Sequence, residues 1–83
     1  MSKKEKLIEK FMAKPLRKDL TYEELEKLFE MLGYIKKEGK GSRVRFSNLE
    51  IGDIFTMHKP HPGNILKSYV VKEVYEKLKE ILK

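Results

Sequence analysis

The stretch GYIKKEGKGSRVRFSNLEIGDIFTMH, residues 33–58, decides the fold. Before Gly33 the apolar residues recur at helical spacing; after it they alternate. Tyr34 to Lys37 reads as a short strand, Gly39-Lys40-Gly41 as a turn, and Ser42 to Ser47 as a second strand alternating basic with apolar residues. Asn48 to Asp53 is the next turn. Ile54 to His58 is a third strand, stopped by Pro60 and Pro62, which have no amide to give to a ladder. Links this short join antiparallel neighbours, so a three-stranded meander is expected.

Alternation also assigns faces. Val44, Phe46, Phe55 and Met57 are expected on the covered side, which sends Arg43, Arg45, Ser47, Thr56 and His58 to the other. A slip of one residue would invert the whole assignment.

Helices flank the strands. In residues 3–13, Leu7, Ile8, Phe11 and Met12 make one apolar stripe, ended by Pro15. Thr21-Tyr-Glu-Glu24 is a capping box: the Thr21 hydroxyl accepts from the Glu24 amide and the Glu24 carboxylate reaches back. Leu25, Leu28, Phe29 and Leu32 form the buried stripe of that second helix, and Gly33 is placed to close it in the left-handed conformation. From Ser68 to Leu82, Val70, Val71, Val74, Leu78, Ile81 and Leu82 mark a last helix. The expected class is α+β, in the order α-α-β-β-β-α with the helices on one face of the sheet.

Eighty-three residues make one domain, expected to comprise a helical extension over 1–18 and a core over 19–83. With no cysteine and only two histidines, neither a disulfide nor a structural zinc site is available, so the fold must rest on packing. No metal or other cofactor is expected. No segment has the ~20 apolar residues of a membrane span, and Met-Ser-Lys-Lys-Glu-Lys does not lead into a secretory apolar run. A cytoplasmic protein without a membrane partner is the expectation.

The formal net charge is +6, and its placement says more than its size. Residues 22–32 carry four glutamates against Lys27. Residues 33–46 carry Lys36, Lys37, Lys40, Arg43 and Arg45 against Glu38, and no acid falls between Asp53 and Glu73. The basic stretches can converge on one surface. Lys36, Lys37, Lys40, Arg43, Arg45 and Lys59 are therefore candidates for contact with RNA phosphates, arginine through its planar fork. A solvated face is the plainer reading of any one such cluster.

RNA is cut without a metal when one group takes the proton of a 2′-hydroxyl and another protonates the 5′-oxygen that leaves. Histidine suits either task, with a reference pKa of ~6.5. Both histidines of the chain, His58 and His61, lie in one six-residue run beside Lys59. Other templates fare worse. Ser42, Ser47 and Ser68 have no triad spacing, and the Gly-Lys-Gly turn is too short for a phosphate loop. Glu23, Glu24, Glu26 and Glu30 read as a solvated helix face. Tyr22, Phe29, Phe46 and Phe55 read as core, and nothing marks Tyr69 or Tyr75 as functional.

Gly41-Ser-Arg-Val-Arg-Phe46, following a capped helix that ends Leu-Gly-Tyr, resembles the HicA family of small bacterial toxins. The run His-Lys-Pro-His-Pro-Gly at 58–63 and the closing helix add to the likeness, which covers residues 21–83. The resemblance implies a fold like that of double-stranded-RNA-binding domains and a ribosome-independent activity against messenger RNA. It also implies a HicB-like antitoxin partner. Gly41, Ser42 and Phe46 match the family pattern, and His61 after Pro60 matches a proline-x-histidine feature. The family's catalytic histidine, however, follows the Gly-Ser pair, where this chain has Arg43. An arginine stays protonated and is no general base.

Three readings follow. In the first, the protein is a ribonuclease in which His58 or His61 replaces the missing histidine, with Arg43, Arg45 and Lys59 on phosphate. In the second, a domain of the same fold binds RNA or an antitoxin without cleaving. In the third, it is a small interaction domain whose charge only keeps it soluble.

Overall fold

The computed structural model describes residues 2–60 and 63–82. Its elements run α1 (Lys3–Phe11), α2 (Tyr22–Met31), β1 (Ile35–Glu38), β2 (Arg43–Asn48), β3 (Asp53–His58) and α3 (Ser68–Ile81). The strands form an antiparallel sheet in the order β1-β2-β3. The class and order match the expectation, with β1 and β2 shifted one residue onward and β3 starting one residue earlier than read in the sequence.

Local chemistry sets the helix ends. Both halves of the Thr21–Glu24 capping box are made, and Glu24 also accepts from Lys10 of α1 at 2.7 Å. Its carboxylate is thus a joint between two helices and not part of a free acidic face. Gly33 ends α2 at φ 95°, where a side chain would be strained and a Cβ would sit 3.4 Å from the Asn48 amide nitrogen.

One core lies between the sheet and the helices. Val44, Phe46, Phe55 and Met57 point into it from the sheet, as alternation requires. Phe29 of α2 is its hub. The ring stacks on Tyr34 with centroids 4.8 Å apart and meets Phe46 and Phe55 edge-on at 5.0 and 5.2 Å. From α1, Phe11 enters the same cluster fully buried.

Three polar arrangements brace this frame, and none follows from periodicity. Asn48, assigned to a turn by the alternation, is buried at the end of β2; its Nδ2 donates to the Leu32 carbonyl at 3.1 Å and its Oδ1 accepts from the Glu50 amide at 3.0 Å. Asp53 opens β3 and accepts from the Tyr34 hydroxyl and from Lys77 of α3 at 2.8 Å. Burial pushes this carboxyl up, yet those two donors outweigh it and hold the pKa below the ordinary carboxylate value. The loop before α3 is also tied down. Tyr22 donates to the Asn64 carbonyl and Leu66 to that of Leu20, both at 2.8 Å, and Thr21 bridges Ile65.

No described helix is long and apolar enough to cross a membrane.

Candidate functional site

The register of the sheet fixes what its open face presents. Arg43 lies opposite His58, and Arg45 opposite Thr56 on one side and Lys37 on the other. Side chains directly opposite share a face, with diagonal neighbours ~7–8 Å away. Lys37, Arg45, Arg43 and His58 therefore form one group, all exposed. Farther along the same face lie Ile35, Ser47 and Ile54, so the charge is confined to the end nearest the β1–β2 turn.

That turn explains how the group is held. Gly41 takes φ 64°, a conformation that favours glycine. The Gly39 amide donates to the Arg43 carbonyl at 2.9 Å, and the Lys59 amide donates to the Ser42 carbonyl at 2.8 Å. The second bond extends the β2–β3 ladder one step past His58 and brings Ser42 against the imidazole. The Ser42 hydroxyl and His58 Nδ1 are 3.2 Å apart. A hydroxyl can donate or accept, so Ser42 suits either tautomer. With Nδ1 occupied, Nε2 is the nitrogen left to act on a ligand.

The candidate lysines divide. Lys37 and Lys40 are exposed and make no ion pair among the described residues, nor do Arg43 and Arg45. Lys36 lies opposite Phe46, on the helix side, and is paired with Glu26 of α2. That carboxylate raises the Lys36 pKa above its usual value. Lys59 is paired with Glu38, whose pKa falls below the ordinary value because of that bond. Neither Lys36 nor Lys59 joins the open-face group. Phe46 is core. His61, singled out in the sequence, lies outside the described residues.

The β1–α2 side of the sheet is unlike the open face. Its groove, of about 540 Å³, is lined by Glu23, Glu26 and Glu30 with Lys27 and Lys36 beside Phe46, three carboxylates against two ammonium groups. Among the described residues no cluster of three His, Cys, Asp or Glu could hold a metal ion.

Sequence reading missed one neighbour of the site. Tyr69, in the first turn of α3, shares a cleft with His58 and Ser42 and is 57% exposed. Helical spacing puts Tyr69 beside the buried pair Val70–Val71, but it carries no information on what β3 brings alongside.

A family model described as the HicA toxin of bacterial toxin-antitoxin matches residues 22–81, which begin with α2 and end with α3. No curated protein and no solved structure matches the chain.

Proposed function

The chain belongs to the HicA toxin family of bacterial toxin–antitoxin systems, and on that premise we propose that it binds messenger RNA and cleaves it without a metal ion. One observation carries the reading. Where the family's histidine would follow Gly41-Ser42, the chain has Arg43, and the residue directly across the sheet from Arg43 is His58. An imidazole is thereby restored to the same face by the neighbouring strand, with Ser42 holding its Nδ1 side.

The chemistry is a transesterification. A base removes the 2′-hydroxyl proton, the 2′-oxygen attacks phosphorus, and the P–O5′ bond breaks as an acid protonates the leaving oxygen. The products are a 2′,3′-cyclic phosphate and a free 5′-hydroxyl. His58 performs one proton transfer and His61, three residues on, the other. Arg43 and Arg45 bind the non-bridging oxygens and offset the charge that grows on them. Lys59 is drawn to phosphate only where its Glu38 partner is displaced. Lys37 and Lys40 extend the track for the strand, and a HicB-like antitoxin covering this face silences the toxin in the cytoplasm.

The second reading has its own support in Arg43, which retains phosphate affinity but cannot serve as the base. A binding domain of the same fold would keep Arg43 and Arg45 and gain nothing from His58. Cleavage of a labelled RNA by purified wild type, His58→Ala and His61→Ala separates the two. Loss of a positioned acid or base costs ~10²–10⁴-fold in rate. A drop of that size in folded His58→Ala supports the nuclease. Binding by wild type with no cleavage in any condition refutes it in favour of the second reading.

A further inference from the structure

His58 has a second surround besides the open face. It borders a cleft of about 220 Å³ between the end of β3 and the start of α3. Buried Leu66 and Val70 form the floor, and His58, Lys67 and the exposed Tyr69 stand at the rim. Pockets for drug-sized ligands run to ~300–1,000 Å³, so this space suits a single ring system.

Charge sets it apart. Among the described residues no carboxylate lines it. Three other cavities each mix carboxylates with lysines: Glu23, Glu26 and Glu30 with two lysines in one, Glu73, Glu76 and Glu80 with three in another, and Asp53 and Glu80 with Lys77 in the third. A phosphodiester following the Lys37–Arg45–Arg43 track therefore meets cations or neutral groups on its way past His58, and carboxylates interspersed with lysines at the other cavities.

We infer that this cleft takes one unstacked nucleobase of single-stranded RNA, with the Tyr69 ring as its stacking platform and Lys67 beside its phosphate. The inference rests on the RNA-cleaving reading and adds to it a substrate class. A base inside a duplex is already stacked on both faces and cannot enter, whereas a splayed base offers a π-face to a tyrosine whatever its identity. Selection is thus for single-stranded RNA, with tolerance of sequence at that position.

The test uses full-length protein and a fluorescent 2′-O-methyl RNA, in which the attacking hydroxyl is blocked and binding is read alone. Wild type, Tyr69→Ala and Tyr69→Phe are titrated with a single strand and with the blunt duplex of the same sequence. Base–aromatic stacking is worth ~1–3 kcal/mol per base, so Tyr69→Ala is expected to bind the single strand roughly 5- to 150-fold more weakly. Tyr69→Phe is expected to match wild type, and duplex binding to be unchanged in all three. Equal losses on both RNAs, or no loss on the single strand, overturn the inference. Cleavage of unmodified RNA by wild type is followed in parallel. Cleavage with unaltered Tyr69→Ala binding refutes the cleft alone. A single-strand loss without any cleavage supports the cleft and refutes the nuclease.

Discussion

The division of the candidate cations makes the salt dependence of RNA binding a quantitative test of the open-face geometry. Lys37, Arg43 and Arg45 share that face without ion-pair partners among the described residues, while Lys36 and Lys59 are engaged by Glu26 and Glu38. Each phosphate neutralised on a single strand contributes ~0.7 to the slope of log K against log salt, so these three cations alone contribute about −2, to which Lys40 and Lys67 add. Raising salt fourfold then weakens binding at least roughly twenty-fold. Substituting Arg45→Ala should reduce the steepness of the slope by about 0.7. By contrast, Lys36→Ala should leave it unchanged, because that ammonium faces α2. Fluorescence anisotropy of a labelled single strand across a salt series measures both quantities. A wild-type slope near zero would remove phosphate contact as the basis of binding. An equal drop for Lys36→Ala and Arg45→Ala would show that the sheet face does not distinguish them, and the argument from register would fail.

Two further outcomes concern stability. Asn48→Ala removes the part-buried bonds to the Leu32 carbonyl and the Glu50 amide, at a cost of about 1–2 kcal/mol in urea unfolding; a cost below ~0.5 kcal/mol would mean the brace is idle. Asp53 has a pKa depressed in the folded state, so its contribution is present above the unfolded value of ~3.9 and is lost as pH falls through the lower folded value. With side chains 30% and 18% exposed, the Asp53–Lys77 pair is worth about 1 kcal/mol. Asp53→Asn should flatten the fall in stability below pH ~4, and an unchanged acid limb would refute the assignment.

How much of this was legible depends on the range of the interaction. The Thr21–Glu24 box, the Gly33 stop and the faces of β2 and β3 are set within a few residues, and the sequence pattern contains all of them. The pairing of His58 with Arg43 needed the register as well, which the short turn constrains. Asn48 bonding to Leu32, Asp53 meeting Lys77, and Lys59 finding Glu38 join residues 16 to 24 positions apart. No periodicity encodes those distances. The same limit hid Tyr69, whose place beside His58 depends on α3 starting near the end of β3. It also made the lysines look alike, since composition counts charges and cannot tell a free ammonium from one already matched.

The burial of Phe11 carries a consequence for where this protein begins as a physical object. The family match starts at residue 22, yet Phe11 and Leu20 are both in the buried cluster, with Leu7, Ile8 and Met12 packed against it. A boundary drawn by kinship and a boundary drawn by solvent exclusion thus differ by a whole helix. Trimming the chain to its matched segment would uncover apolar surface on α2 and α3, and removal of a fully buried phenylalanine alone typically costs ~3–5 kcal/mol. For a domain this small that is most of its stability. The N-terminal helix is the lid of the core, and the matched segment on its own would be a vessel left open to water.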